Sequence, residues 1–185
     1  MNHRLSILTL AVTSLSAVLL GACSSSDQTV TPSAAAVADA GDDLVAANLA
    51  RFDQLDFDAY SKQDWALFEQ LHCPNVVVTN PDGTQTNGIA DHEAAVKQIF
   101  AWAPTNNILE HPTKVGQGDF TAVVGRWQGT FSAPLPLPDG GAIPPTGKSF
   151  DVHLATFAHW QNGCIDQEQL FSNTQTILQE VGLAQ

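Results

Sequence analysis

The dipeptide Asn162-Gly163 constrains the fold more than any other feature, because it separates two strand-like runs, 149–160 and 164–173. Asn-Gly favours the tight turns with positive φ that join neighbouring antiparallel strands. Both runs carry the β-branched and aromatic residues that strands prefer. The pair therefore predicts a β-hairpin near the C-terminus.

Two pairing registers are compatible with this hairpin. A two-residue loop pairs Gln161 with Cys164, whereas a three-residue loop pairs Trp160 with Cys164 and places Asn173 opposite Asp151. The choice matters because a shift of one residue moves every side chain to the other face of the sheet. We prefer the three-residue loop, since it separates polar from apolar residues more cleanly. Its polar face consists of Asp151, His153, Ala155, Phe157, His159, Ile165, Gln167, Gln169 and Phe171.

This polar face has two interpretations. Polar side chains interleaved with aromatic ones are typical of a ligand cavity, and the opposite face, with Val152, Leu154 and Trp160, suits dry packing. Alternatively, the polar face meets water and the apolar face forms the core, as in many antiparallel sheets. The pattern alone leaves both open.

Helical patterns precede the strands along the chain. Apolar residues recur at helical spacing in three early segments, and β-type segments dominate from residue 107 onward. This order predicts an α+β fold, in which about three N-terminal helices cover one face of a curved antiparallel sheet and enclose a pocket. The helical segments are 44–60, 62–72 and 90–102, and the strands are 75–79, 107–117, 120–131, 149–160 and 164–173.

The N-terminus has the pattern of an export signal. Arg4 precedes an uncharged apolar run, 5–20, which would span only about 24 Å as a helix. That is short for a bilayer core of about 30 Å, so a signal peptide fits better than a membrane span. Leu20-Gly21-Ala22-Cys23 resembles the bacterial lipobox, in which the cysteine is acylated; the alternative is an ordinary signal peptide with a nearby cysteine.

These features predict three regions: a lipoprotein signal peptide (1–22), a lipid-anchored flexible tether (23–41) and one folded domain (42–185). We expect the protein in the bacterial cell envelope, anchored through Cys23 and exposed outside the cytoplasm. There, Cys73 and Cys164 would meet an oxidising environment that permits a disulfide. Two small buried thiols are the alternative.

Charge and motifs exclude several functions. The formal net charge is -12 and the few cations are scattered, so we expect no nucleic-acid partner. His92-Glu93 begins a metal-binding pattern, but no second histidine follows at the required spacing, and we predict no metal site. His72 beside Cys73 lacks the third group of a nucleophilic site.

Two other polar residues have expected places in the fold. His111 belongs to the surface or a pocket rim, and Arg126 anchors an anion or pairs with a local carboxylate.

Three segments resemble the SnoaL-like polyketide cyclases, also called ester cyclases. They are "DFTAVVGRWQGTF", "PPTGKSFDVHLATFAHWQNG" and "LFSNTQTILQEVGL". The earlier segment "VVVTNPDGTQTNGIADHEAAVKQIFAW" resembles the family's preceding strand, turn and helix, so the resemblance covers most of residues 43–184. It implies the NTF2-like fold, a cone of curved sheet and helices, and a homodimer through the open face of the sheet. It also implies catalysis without metal or cofactor.

The resemblance places the family's histidine at His159 and its aspartate at Asn173. An amide cannot exchange a proton usefully near neutral pH, so the cyclase acid/base is missing. We therefore expect a hydrophobic, oxygen-bearing ligand to be bound rather than cyclised. A lyase or isomerase using His159, with Asp151 as a displaced carboxylate, and a structural lipoprotein are the alternatives. The expected substrate-binding residues are His153, Asp151, Phe157, Gln169 and Phe171.

Overall fold

The computed structural model describes residues 34–184, with side chains from residue 41 onward. The predicted signal peptide, Cys23 and most of the tether lie outside the described residues. Residues 34–41, predicted as tether, form the first turns of a helix, because their alanine-rich sequence has high helix propensity. Among the described residues, no helix has both the length and the apolar character needed to cross a bilayer.

Helices form one layer of the domain. Helix α1 continues into a π-helical segment (Gln54–Tyr60), and Asp64 caps the next helix by accepting a 3.1 Å hydrogen bond from the backbone N–H of Leu67. The last helix is a short C-terminal turn that follows the sheet. The α-helices are α1 (Ala34–Asp53), α2 (Trp65–Leu71), α3 (Ile89–Trp102) and α4 (Thr174–Glu180).

A curved, unclosed sheet forms the other layer, with strand order β2-β1-β8-β7-β4-β3. Its pairs are antiparallel except β1 with β8, which run parallel. The α+β prediction is confirmed. The strands are β1 (His72–Thr79), β2 (Gln85–Asn87), β3 (Asn107–Gln117), β4 (Phe120–Thr130), β7 (Ser149–Gln161) and β8 (Cys164–Ser172), and a separate ribbon contains β5 (Leu135–Pro136) and β6 (Ala142–Ile143).

The predicted hairpin is present, but the preferred register is wrong. Asn162 and Gly163 have φ of 52° and 84° and form a two-residue turn, so Gln161 pairs with Cys164. Asparagine and glycine both tolerate the positive φ that this turn needs, and no third residue is required. A bulge then shifts the pairing of β8 by one residue, so that Leu154 pairs with Ser172.

The two faces of β7 have different environments. Even-numbered residues, including Val152, Thr156 and Trp160, are buried under the helices. Asp151 and Phe157, on the odd-numbered face, are exposed on the outer side of the sheet. The polar face therefore meets the outside and the apolar face contributes to the core, which is the second of the two interpretations left open by the sequence.

A disulfide joins the start of β1 to the start of β8. Cys73 and Cys164 are bonded, with their Cα atoms 5.1 Å apart. The bond fastens the parallel strand pair at one end, where the register of β1 against β8 is irregular.

Candidate functional site

A cavity of about 180 Å³ lies between the helices and the inner face of the sheet. It is smaller than the roughly 300–1,000 Å³ typical of drug-sized ligands, so it fits only a small molecule. Pro81 and Phe171 are the exposed members of its lining and mark its opening. The apolar wall includes Phe52, Leu55, Phe68, Val96, Ile99, Ile108, Trp127, Leu154 and Leu170.

The first polar group in this cavity is Asp56, which is backed by His111. Nε2 of His111 lies 2.8 Å from Oδ2 of Asp56, and its Nδ1 lies 2.8 Å from Oδ1 of Asp53. The π-helical segment carries Asp56, while the ladder of β3 is interrupted between Glu110 and Thr113. Pro112 lies in this interruption and cannot donate a ladder hydrogen bond. The irregular backbone accompanies the inward placement of the His111 side chain, which is 2% exposed.

These contacts perturb all three groups. Burial raises the pKa of Asp56 against the opposing effect of its hydrogen bond to His111. For His111, burial disfavours the charged ring, but the two carboxylates outweigh it and raise the pKa. For Asp53, burial is outweighed by Lys114 and His111, which lower the pKa. Asp53 is 33% exposed, so the three residues connect the cavity to solvent.

The second polar group consists of His72, His92 and Glu168. Oε2 of Glu168 lies 3.6 Å from Nε2 of each histidine, and all three side chains are buried. Nδ1 of His72 lies 2.8 Å from the carbonyl oxygen of Phe68. The residues come from β1, α3 and β8, so the cavity assembles them from three separate parts of the chain.

Burial also shifts the ionisation of this second group. It lowers the pKa of His92 to about 4, so this ring is neutral near pH 7. For Glu168, burial opposes ionisation, but His72 and then His92 outweigh it and lower the pKa. The cavity therefore holds an ionised carboxylate beside a neutral imidazole.

Tyr60 faces the cavity but its hydroxyl is already engaged. It donates to Oδ1 of Asn106, which also accepts a 2.9 Å hydrogen bond from Nε1–H of Trp127. Burial raises the pKa of Tyr60. This network fixes one aromatic wall of the cavity.

The structure does not bring the predicted pair His159 and Asn173 together in this cavity. Nδ1 of His159 lies 2.5 Å from Oδ1 of Asp166 on the outer face of the sheet. Asn173 follows β8 and caps α4, where its Oδ1 accepts a 3.1 Å hydrogen bond from the backbone N–H of Thr176. Within the described residues, His159 therefore has a carboxylate partner and Asn173 has a local structural role.

Asp151 and His153 are exposed on the outer face. Asp151 pairs with Arg126 at 3.0 and 2.6 Å, and these hydrogen bonds lower its pKa to about 2. Arg126 thus pairs with a local carboxylate, the second of its two predicted roles.

The remaining predicted residues line a broad depression on the outer face. The depression has a volume of about 860 Å³, and its lining includes Phe157, His159, Gln169 and Phe120. Phe120 and Phe157 are 60% and 53% exposed, which is unusual for two large apolar side chains on one surface. Phe171 lies at the opening of the inner cavity.

Sequence reasoning missed most of the inner cavity's polar residues. His92 was considered, but its partner histidine comes from β1 rather than from the next turn of the same helix. Asp56 and His111 are 55 residues apart, and their spacing carries no motif. One available signal was Glu168, an ionisable residue in the middle of the strand that follows the Asn162-Gly163 turn.

Comparisons with known proteins identify the family of the chain. The family model for SnoaL-like polyketide cyclases matches residues 50–181. A search of curated proteins gives no match.

Several solved structures share the fold. IdmH from Streptomyces antibioticus, a proposed polyketide cyclase, has a TM-score of 0.63 at 20% identity, covering 73% of this chain and 98% of its own. A SnoaL-like protein from Jannaschia sp. CCS1 has a TM-score of 0.65 at 18% identity, covering 76% and 94%. A protein from Catenulispora acidiphila with a ketosteroid isomerase-like fold, solved with trimethylamine, has a TM-score of 0.58 at 13% identity, covering 74% and 92%. By the match of the family model, the chain belongs to the SnoaL-like polyketide cyclase family, with an NTF2-like fold.

Proposed function

We propose that this protein binds a small, hydrophobic, oxygen-bearing molecule in the inner cavity. The observation that carries the proposal is an apolar cavity of about 180 Å³ with ionisable groups at two fixed places, Asp56 and the His72–His92–Glu168 cluster. Pockets with few, well-placed polar groups bind apolar molecules and use those groups to orient them. The volume favours a single-ring or short-chain ligand over a fused multi-ring one.

A second candidate, proton transfer by a lyase or isomerase, is favoured by the contact between Asp56 and His111. A general base works best when its pKa lies near the working pH, and burial moves Asp56 in that direction. His111 and Asp53 provide a hydrogen-bonded route by which a proton can leave the cavity for solvent. In this proposal Asp56 takes the acid/base role that the family resemblance assigned to His159 and Asn173.

The outer face has a different proposed role. We propose that Phe120 and Phe157 contact a second copy of the chain, because two large exposed apolar side chains share that surface. The outer-face residues first considered for substrate binding, including His153 and Gln169, would then lie at or near the subunit contact. The lipid anchor at Cys23 and the location outside the cytoplasm remain proposals based on the N-terminal sequence.

Native mass spectrometry of the mature protein, purified from its own envelope, tests ligand binding. Leu154 and Ala155 are neighbours on opposite faces of β7, so they provide a matched pair. We expect a defined added mass on the wild type and on Ala155→Trp, but not on Leu154→Trp, whose side chain fills the cavity. Loss of the mass in Ala155→Trp with retention in Leu154→Trp would overturn the proposal, provided that circular dichroism shows both variants folded.

The proton-transfer candidate has its own test. Deuterium exchange next to the carbonyl of a small ketone, such as cyclohexanone, reports proton abstraction by NMR. If Asp56 is the base, Asp56→Asn should slow exchange by about 10²- to 10⁴-fold. Equal exchange in wild type and variant would remove this candidate without affecting the binding proposal.

A further inference from the structure

We propose that His72, His92 and Glu168 form a binding site for a divalent transition-metal ion. Each residue offers one ligand atom, and the three atoms lie within 4.8 Å of one another. Two imidazole nitrogens and one carboxylate oxygen are a donor set that binds Zn²⁺ and related ions, and a site with three protein ligands keeps a position open.

The spacing of the donors is close to what a metal requires. Oε2 of Glu168 lies 3.6 Å from Nε2 of His72 and 3.6 Å from Nε2 of His92. With metal–ligand distances of about 2.1 Å, tetrahedral ligands lie about 3.4 Å apart. These contacts are longer than hydrogen bonds, so small side-chain movements would complete the site without rearranging the backbone.

The hydrogen bonds of His72 orient the ring for metal binding. Its Nδ1 lies 2.8 Å from the carbonyl oxygen of Phe68, which has no proton to donate, so Nδ1 carries the proton. Nε2 is then the ring nitrogen left to bind a metal, and it lies 3.6 Å from Oε2 of Glu168. Histidines that bind metals commonly donate their other ring N–H to a backbone carbonyl in this way, which fixes the orientation of the ring.

Buried atoms of the cluster lack partners of their own. Nε2 of His72 and Nδ1 of His92 have no hydrogen-bond partner within the described residues, and the His72 side chain is 0% exposed. Buried polar groups are normally hydrogen-bonded, and exceptions call for an explanation. A lone pair facing a carboxylate oxygen is repulsive unless a proton or a cation lies between them. A metal ion would satisfy the unpartnered Nε2 of His72, and Oε2 of Glu168 and Nε2 of His92 lie near enough to bind the same ion.

The surroundings favour a cation. Asp56 lines the same cavity as His72 and Glu168, so a second carboxylate faces the same space. The cluster lines the inner cavity, which leaves room for a ligand atom at the open position. A metal held there would polarise a bound carbonyl oxygen. Polarisation of a bound ligand rests on the proposed function. Metal binding itself does not, and it is measured without any organic ligand.

Metal titration of the chelator-treated mature protein tests the site. We expect one equivalent of Zn²⁺ to bind by calorimetry, and Co²⁺ to give visible d–d absorption of low-symmetry coordination. His92→Gln and Glu168→Gln should weaken Zn²⁺ binding by more than the roughly 10- to 100-fold that is lost when a residue hydrogen-bonded to a ligand is removed. Glu69→Gln, at an exposed carboxylate on α2, is the matched control and should bind as the wild type does.

Two results would overturn the metal site. One is a folded wild type that binds neither Zn²⁺ nor Co²⁺. The other is equal binding by wild type, His92→Gln and Glu168→Gln, which would place the ion on the surface. If Glu168→Gln fails to fold, Glu168→Asp keeps the carboxylate but shortens it, and the cobalt spectrum must change. An unchanged spectrum in Glu168→Asp and His92→Gln would count against the proposal.

Discussion

Replacing His111 tests the buried contact between Asp56 and His111 that connects the inner cavity to solvent. In His111→Gln, Asp56 loses a charged partner 2.8 Å away, and both side chains are nearly inaccessible, at 2% and 11% exposed. Breaking a buried pair by removing one partner costs about 3–5 kcal/mol. We therefore expect the free energy of unfolding to fall by about that amount at pH 6.

The pH dependence gives this prediction a sign. The folded-state pKa of His111 is raised above 6.5, because two carboxylates outweigh the effect of burial. Its stabilisation is therefore complete below the unfolded pKa and is lost as the pH rises through the folded pKa. The difference in stability between wild type and His111→Gln should shrink at alkaline pH.

Urea unfolding followed by tryptophan fluorescence measures both effects. Glu69→Gln, at an exposed carboxylate of α2, is the control and should change stability by less than about 0.5 kcal/mol. The double variant His111→Gln with Asp56→Asn should recover part of the loss, because no buried charge then lacks a partner. A loss below about 1 kcal/mol at pH 6, or one that grows with pH, would refute the reasoning.

Three further predictions concern the disulfide, the helix cap and the outer face. Replacing both Cys73 and Cys164 with serine should lower the free energy of unfolding by about 2–5 kcal/mol in denaturant titrations, since the bond closes a loop with a sequence separation of 91; no loss would contradict a stabilising role of the bond. Asn173→Ala should cost about 1 kcal/mol by the same titration, while Asn173→Asp keeps the cap; equal losses would contradict the capping role. Phe157→Ser with Phe120→Ser should give a monomer in light scattering, and an unchanged dimer would place the subunit contact elsewhere.

The sequence predicted the elements of the fold better than the faces they present. The α+β class followed from the order of helical and strand patterns, and the hairpin followed from Asn162-Gly163. The preferred register failed because the turn needs only these two residues. The bulge beside Ile165 then restored Gln167, Gln169 and Phe171 to pairing with the odd-numbered residues of β7, and no local pattern predicts a bulge there.

The inner polar groups were not accessible from local patterns, because each depends on contacts between distant segments. Glu168 reaches His72 through parallel pairing of β1 with β8, and sequence alternation alone does not reveal a parallel partner. An alternating strand shows that two faces differ, but not which one the helices cover. The sequence therefore left open which face of β7 lines the cavity under the helices.

The position of a bound ligand is the most direct test of the claim that the inner cavity is the binding site. Methyl-labelled protein with cyclohexanone gives intermolecular nuclear Overhauser effects that locate the molecule. We predict effects between the ketone and the methyl groups of Ile108 and Leu154, which line the inner cavity. Effects confined to Val77 and other methyl groups of the outer depression would contradict the account.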